Sequence, residues 1–231
     1  MRRVGSWCVK PSFGLLVLAA ALAGFPTHSH AQQDEDLAKQ LSNPVASLIS
    51  VPFQFNYDSR VGPARQGDRL TLNIQPVIPF KLNSEWNLIS RTILPVVNQN
   101  DIFPGAGSQY GLGDTVQSFF FSPSPVPLGG GANFIWGAGP VFLIPTGTDN
   151  LLSGEKWGVG PTAVALVQAG PWTVGALTNH IESFAGDRAR ADIRSTFVQP
   201  FISYNHEGCM DVHAQQRVDL RLDRRPVDRS R

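Results

Sequence analysis

The stretch SVPFQFNYD, residues 50–58, places Val51, Phe53, Phe55 and Tyr57 on one side of an extended chain. Pro52, Gln54, Asn56 and Asp58 fall on the other. The same rhythm returns in RLTLNIQPVIPFKL: Leu70, Leu72, Ile74, Ile78, Phe80 and Leu82 alternate with Thr71, Asn73, Gln75 and Lys81. A period of two is the signature of strands, each with one oily and one polar face. The pattern predicts strands at 45–57, 70–82, 86–97, 112–122, 134–145, 157–168, 172–182 and 193–204.

The connections between these strands alternate in length. Asn83–Glu85 and Ala169–Pro171 are short. DSRVGPARQGDR, NQNDIFPGAGSQYGLG, TGTDNLLSGEK and SFAGDRARAD are long and polar, and PSPVPLGGGAN breaks the alternation by being long as well. Short turns at one end and long loops at the other predict an antiparallel transmembrane β-barrel of the outer-membrane kind. Lipid offers no hydrogen bonds to a bare strand edge, so a spanning sheet must close on itself. Oily positions then face lipid and polar positions face a wet lumen. Trp86, Trp136, Trp157 and Trp172 fall near strand ends, where an aromatic girdle belongs. A soluble β-sandwich shares the period, but strands of ten residues and unequal loops favour the membrane.

Pro76, Pro79, Pro95, Pro140, Pro161 and Pro200 fall inside predicted strands. Each removes a ladder donor, so each requires a bulge, a kink or an edge. An irregular barrel is expected.

Composition agrees with an all-β chain rich in turns: 22 Gly and 18 Pro in 231 residues, with a net charge of +1. Near neutrality argues against a nucleic-acid partner. At the N-terminus, Arg2, Arg3 and Lys10 precede an apolar run from Phe13 to Phe25 and the small residues Ser29 and Ala31. This reads as a signal peptide, 1–31, cleaved after Ala31. Residues 32–44 read as a periplasmic lead-in, 45–204 as barrel strands, and 205–231 as a tail. Cys8 and Cys209 are the two cysteines, so the presumed mature wall carries none, as suits export.

Several stretches carry a family resemblance: LAKQLSNPVASLISVPFQFNYD, LNIQPVIPF, WNLISRTILPVV, DIFPGAGSQYGLGDTVQSFFFSP, WGAGPVFLIPTGTDNLLSGEKWGVGPTAVALVQAGPW and TFVQPFISY. Over residues 37–204 the chain resembles the outer-membrane transporter-like family named "MetA-pathway of phenol degradation", whose members are sometimes labelled neuromedin U. The resemblance implies an outer-membrane channel passing hydrophobic aromatic compounds or fatty acids. It carries no catalytic or binding residues. Family members continue past the QPF-SY strand with further strands, whereas this chain turns to YNHEGCMDVHAQQRVDLRLDRRPVDRSR. Read one nucleotide later from Asn205, codons allowed for Met210-Asp211, Leu222-Asp223 and Val227-Asp228 can each give tryptophan in the family's idiom. The expectation is a frameshift product that lacks closing strands, with insertion into the membrane impaired.

Chemistry is sparse. The five His show no metal spacing, no Gly-rich loop leads into a helix, and no cofactor is implied. His180 and Ser183 offer a hydrolase pair, but on one strand they point to opposite faces. Polar residues within apolar strands are the candidates for a solute path: Arg91, Asp114, Gln117, His180, Glu182, Arg194 and Gln199. A charge facing lipid costs about 2–4 kcal/mol for Arg or Lys near the midplane, so lumen positions are expected. Asp101, Phe103 and Gln109 are exterior-loop candidates. The expected function is passive uptake of small hydrophobic or aromatic compounds through an outer-membrane channel, with membrane lipid and the solute as partners and no enzymatic activity. The alternatives are a structural or adhesive barrel and, less favoured, a lipid hydrolase.

Sequencing the gene tests the tail directly: an insertion or deletion beside the Asn205 codon is expected, and an intact frame ends the idea.

Overall fold

A computed structural model describes residues 43–45, 48–204, 212–215 and 218–221. The expected signal peptide lies outside the described residues. So does the lead-in except for Asn43 and Pro44, and so does the tail except for two short strands. Among the described residues no helix is long and apolar enough to cross a membrane.

The strands, in chain order, are β1 Phe53–Val61, β2 Gly67–Ile74, β3 Val77–Lys81, β4 Trp86–Asn100, β5 Ser108–Leu112, β6 Thr115–Pro123, β7 Val126–Gly129, β8 Ala132–Ile144, β9 Lys156–Ala169, β10 Trp172–Gly186, β11 Arg194–Tyr204, β12 Val212–Gln215 and β13 Val218–Arg221. They form one antiparallel sheet of 13 segments, in the order β1-β2-β4-β6-β8-β9-β10-β11-β12. The remaining segments continue their neighbours: β3 and β5 pair with β4, β7 with β8, and β13 with β11. Each wall therefore pairs with the next in sequence, as an up-and-down meander. The sheet is strongly curled, a half-barrel whose described edges are β1 and β12–β13.

The curl is visible in burial. On one face, Ile89, Phe120, Val141, Val164, Leu166 and Leu177 are buried, Phe120 at 0% exposure. On the other, Phe53, Phe55 and Tyr57 are 62%, 70% and 68% exposed. Among the described residues no second layer of secondary structure covers the buried face, which the sheet's own curvature and Val45 shelter. Register fixes which residues share a face. Phe55 pairs with Leu72, and Leu72 with Val96. Ile89 pairs with Phe120, Ile135 with Leu166, and Leu177 with Val164. Phe53, Leu72 and Ile78 thus share the convex perimeter and do not lie between stacked sheets.

Connections sort by end. Leu82–Glu85, Gly130–Gly131 and Gly170–Pro171 turn tightly at one end, while residues 62–66, 101–107, 145–155 and 187–193 span the other. The apparent exception, PSPVPLGGGAN, is no loop. Val126–Gly129 pairs with β8, and Gly129, Gly130 and Gly131, all at positive φ, make the turn. Only glycine adopts three such conformations in succession without strain. The first strand also differs from expectation, beginning at Phe53 rather than at residue 45. Ser50 makes a single bridge to Val77. Val45, its N–H held by Asn43 Oδ1 at 3.0 Å, turns in to join the buried cluster.

The six prolines fall at interruptions or along an uncovered flank. Pro76 separates β2 from β3. Val77 N–H donates to Ser50 on the β1 side, so Pro79, two residues on, turns its missing donor the same way, where no described strand lies. Pro95 faces the break between β5 and β6, its carbonyl accepting from Gly113 N–H at 2.9 Å. Pro140 and Pro161 pair with each other across β8 and β9. The rungs beside them, 119–120 with 139–140 and 160–161 with 180–181, are missing. Pro200 lies where β12 gives way to β13.

At those missing rungs the neighbouring backbones crowd the concave face. A Cβ on Gly139 would strike the Phe119 carbonyl, and one on Gly160 the His180 carbonyl. Glycine inside a strand commonly marks such a close backbone approach. Gly160→Ala is therefore expected to destabilise the fold by about 1–3 kcal/mol, the usual range for overpacking. Denaturant titration of the folded protein in detergent micelles measures it, and an unchanged midpoint would contradict this account of the curl.

Candidate functional site

The concave face is the candidate site. Its character changes along the strands and around the curl. Towards the short-turn end it is apolar: Val77, Ile89, Phe120, Ile135, Val164, Leu166 and Leu177 cluster around Val45, with Phe197 and Phe201 packed against them. Along β1, β2 and β4 it is polar. Gln54 and Asn56 of β1, Asn73 and Arg69 of β2, and Arg91 and Gln99 of β4 share it by register. The expected wet lumen is thus corrected to a mixed one. Strands β8–β11 carry apolar residues on both faces because the curl and Val45 bury their inner side.

Polar side chains on this face hold one another. Arg91 Nη2 donates to Gln75 Oε1 at 2.6 Å, and Gln75 Nε2 donates to Gln54 Oε1 at 2.7 Å. Gln54 Nε2 continues to Asn56 Oδ1 at 3.3 Å. Nearer the long loops, Arg69 Nε donates to Gln99 Oε1 at 2.9 Å, and Gln99 Nε2 to Gln109 Oε1 at 3.0 Å.

Of the solute-path candidates, Arg91 and Gln199 lie on the concave face, Gln199 opposite Leu177. Gln117, His180, Glu182 and Arg194 fall instead on the convex face, paired in register with Phe142, Thr196, Arg194 and Glu182 respectively. Their expected lumen position is corrected by one step of strand parity. Each is satisfied locally. Gln117 accepts from Thr92 Oγ1 at 2.6 Å and donates to Ser90 Oγ at 2.9 Å. Arg194 Nε lies 2.8 Å from Glu182 Oε1, and His180 Nδ1 2.7 Å from Thr196 Oγ1. Ser183 takes the opposite parity and accepts from Ile193 N–H at 2.9 Å, so no His180–Ser183 pair forms.

Asp114 sits at the β5–β6 break and braces the 145–155 connection. It accepts from Gly147 N–H at 3.2 Å, Ser153 Oγ at 2.6 Å and Gly154 N–H at 2.7 Å. Two ion pairs continue this rim: Lys156–Asp192 at 3.1 Å and Arg190–Glu155 at 2.9 Å. The Glu155 hydrogen bond raises the Arg190 pKa. Asp101 and Phe103 lie in the 101–107 connection between β4 and β5. Gln109 does not: it is buried within β5. The site residues missed from sequence are Arg69, Gln75, Gln54, Asn56, Asn73 and Gln99. Gln54, Asn56, Asn73 and Gln75 were marked by the polar half of the alternation, whereas Arg69 and Gln99 lay outside the expected strands 70–82 and 86–97.

No protein-family model and no curated protein matches the chain. The fold is similar to that of an outer membrane channel from Pseudomonas putida. That crystal structure superposes with a TM-score of 0.51 at 15% identity, over 74% of this chain and 72% of the channel. The likeness is one of fold: an all-β, antiparallel, curled wall.

Asp114→Ala removes an acceptor of three hydrogen bonds. At roughly 2 kcal/mol of lost local stability, the 145–155 connection is expected to open about thirtyfold more often. Chymotryptic cleavage at Leu151–Leu152 should rise accordingly with the wall intact, and equal cleavage in both proteins would refute the brace.

Proposed function

We propose that the chain builds the wall of a bacterial outer-membrane channel for passive passage of small, hydrophobic or aromatic compounds. The observation that carries this reading is a single curled sheet whose exposed face is dominated by large apolar side chains and whose sheltered face carries a polar strip along β1, β2 and β4. Ile78, Phe80, Phe121, Phe142, Val159, Val174 and Ile202 are all large apolar side chains left exposed. Water makes such a perimeter unfavourable and hydrocarbon makes it favourable.

Aromatic side chains at both ends support the same reading. Near the short turns, Trp86 meets Trp136 edge-on at 6.1 Å, and Trp172 lies 4.6 Å from Tyr204. Near the long loops, Tyr57, Tyr110, Trp157 and Phe184 are exposed. Two such belts match the two faces of a bilayer. The family resemblance and the likeness to the Pseudomonas putida channel favour transport over a purely structural or adhesive wall. Membrane lipid would contact the convex face and the solute the concave one. In lipid, the backbone groups along β1 and β12–β13 would need partners, so closure of the wall is part of the proposal.

Purified protein reconstituted into liposomes is expected to run as a heat-modifiable band and to speed osmotic swelling in arabinose. Membrane insertion without swelling would leave a structural wall. Failure to insert would match the frameshift expectation for the tail and remove the channel reading for this chain.

A further inference from the structure

The convex wall is not evenly filled. Across β8, β9 and β10 it carries a hollow of about 500 Å³ whose lining includes Trp136, Ala138, Ala163, Ala165, Ala176 and Thr178. Register stacks these into two adjoining rows, Trp136–Ala165–Ala176 and Ala138–Ala163–Thr178. The row below is bulky, Phe134–Val167–Val174–Ile202. Two rows above the alanines comes Phe142–Val159–Glu182–Arg194. Small side chains in the middle of a wall of large ones therefore leave a dent. Behind it Val164, Leu166 and Leu177 are buried in the packed cluster, so the dent opens to the convex side and not to the concave one.

Charge stands at one end of the dent. Thr178, within it, already donates its hydroxyl to the Phe197 carbonyl at 3.0 Å. Towards the long loops the next convex residues are His180, Glu182 and Arg194. Arg194 meets Glu182 through Nε at 2.8 Å, with its side chain 42% exposed. That contact engages one of the five N–H donors a guanidinium carries. His180 Nδ1 lies 2.7 Å from Thr196 Oγ1, and its Nε2 3.5 Å from Glu182 Oε1. From Ala176 up to Glu182 is about 16 Å of height, at roughly 3.4 Å per residue and a tilt near 40°. One leaflet's hydrocarbon is about 15 Å, half of the bilayer core. With the dent near the midplane, the arginine stands at head-group height.

We infer that this face is a seat for one phosphate-bearing membrane lipid, its acyl chain in the alanine dent and its phosphate at Arg194 and His180. The bulky rows confine a chain sideways, and close contact with the floor adds dispersion energy that a smooth wall would not give. A guanidinium presents paired N–H donors that suit phosphate oxygens. Glu182 offsets part of the positive charge, so the head supplies selectivity and the chain supplies most of the contact. The inference rests on the outer-membrane reading, which puts this wall in lipid, and is independent of what passes along the concave face.

Three probes separate the parts: dimyristoyl phosphatidate, dimyristoylglycerol with the same chains and no phosphate, and inorganic phosphate with no chains. Native mass spectrometry of the folded full chain released from detergent counts the molecules retained. One phosphatidate per chain is expected, at concentrations about tenfold below either control, since a charge-assisted contact is worth roughly that factor. Phosphatidate with brominated chains should quench tryptophan emission, and Trp136→Phe should remove most of that quenching. Arg194→Gln should bring phosphatidate to the glyceride level. Ala165→Phe fills the dent and should lower retention of both lipids about tenfold, through lost apolar contact. Equal retention of phosphatidate and either control by the unaltered protein overturns the proposal, whether or not a variant folds. So does unchanged retention in folded Ala165→Phe, or a dimer of the chain in place of the lipid-bound monomer. Retention that depends on Arg194 and Ala165, in protein that fails to insert into liposomes, keeps the seat and removes the membrane wall. Insertion with swelling but no retention does the reverse.

Discussion

Backbone pairing between consecutive walls is the constraint from which the rest follows. Each wall bonds only to its sequence neighbours, so the described strands are one surface without a second layer of strands to press against. Such a surface can bury side chains in one way, by bending around them. Once bent, its two faces have different surroundings, one sheltered and one exposed, and the side-chain alternation of each strand acquires meaning. Phe120 is sheltered and Phe121 is exposed because they are neighbours on a pleat, and the bend decides which is which.

Bending a hydrogen-bonded sheet this tightly has local requirements. Side chains crowd the inner radius first, which is why Gly139 and Gly160 stand where adjoining carbonyls come close. Prolines serve the complementary need. A strand that must drop a rung loses nothing when the residue there has no N–H to satisfy. Pro95 opposite the β5–β6 break and Pro200 at the β12–β13 step are of this kind. The wall is irregular at the positions where its sequence can tolerate irregularity.

Much of this was legible in the residues. The period of two located the eight main walls but not β5, β7, β12 or β13, and the unequal connections assigned the two ends. PSPVPLGGGAN hid a strand because Pro and Gly read as loop, whereas three glycines at positive φ in fact close a hairpin. What stayed hidden depends on long-range contact. Val45 joins the interior through side chains from distant strands, and nothing local in residues 43–52 foretells it. Gln117, His180, Glu182 and Arg194 looked like lumen residues because charge in lipid is costly. Parity placed them outward, where Thr92, Thr196 and their own ion pair satisfy them. Cost alone predicts a partner, and it does not predict a face.

Phe119, Pro140, Pro161 and His180 occupy one row straight across β6, β8, β9 and β10, and of the contacts in that row only the proline pair keeps its rung. A corrugated sheet missing its ties along one line acquires a crease there. The stretches above and below become two panels that can tilt against each other while every remaining bond is kept. Girth at that height is then the softest dimension of the wall, a seam at which the sheet yields before it breaks.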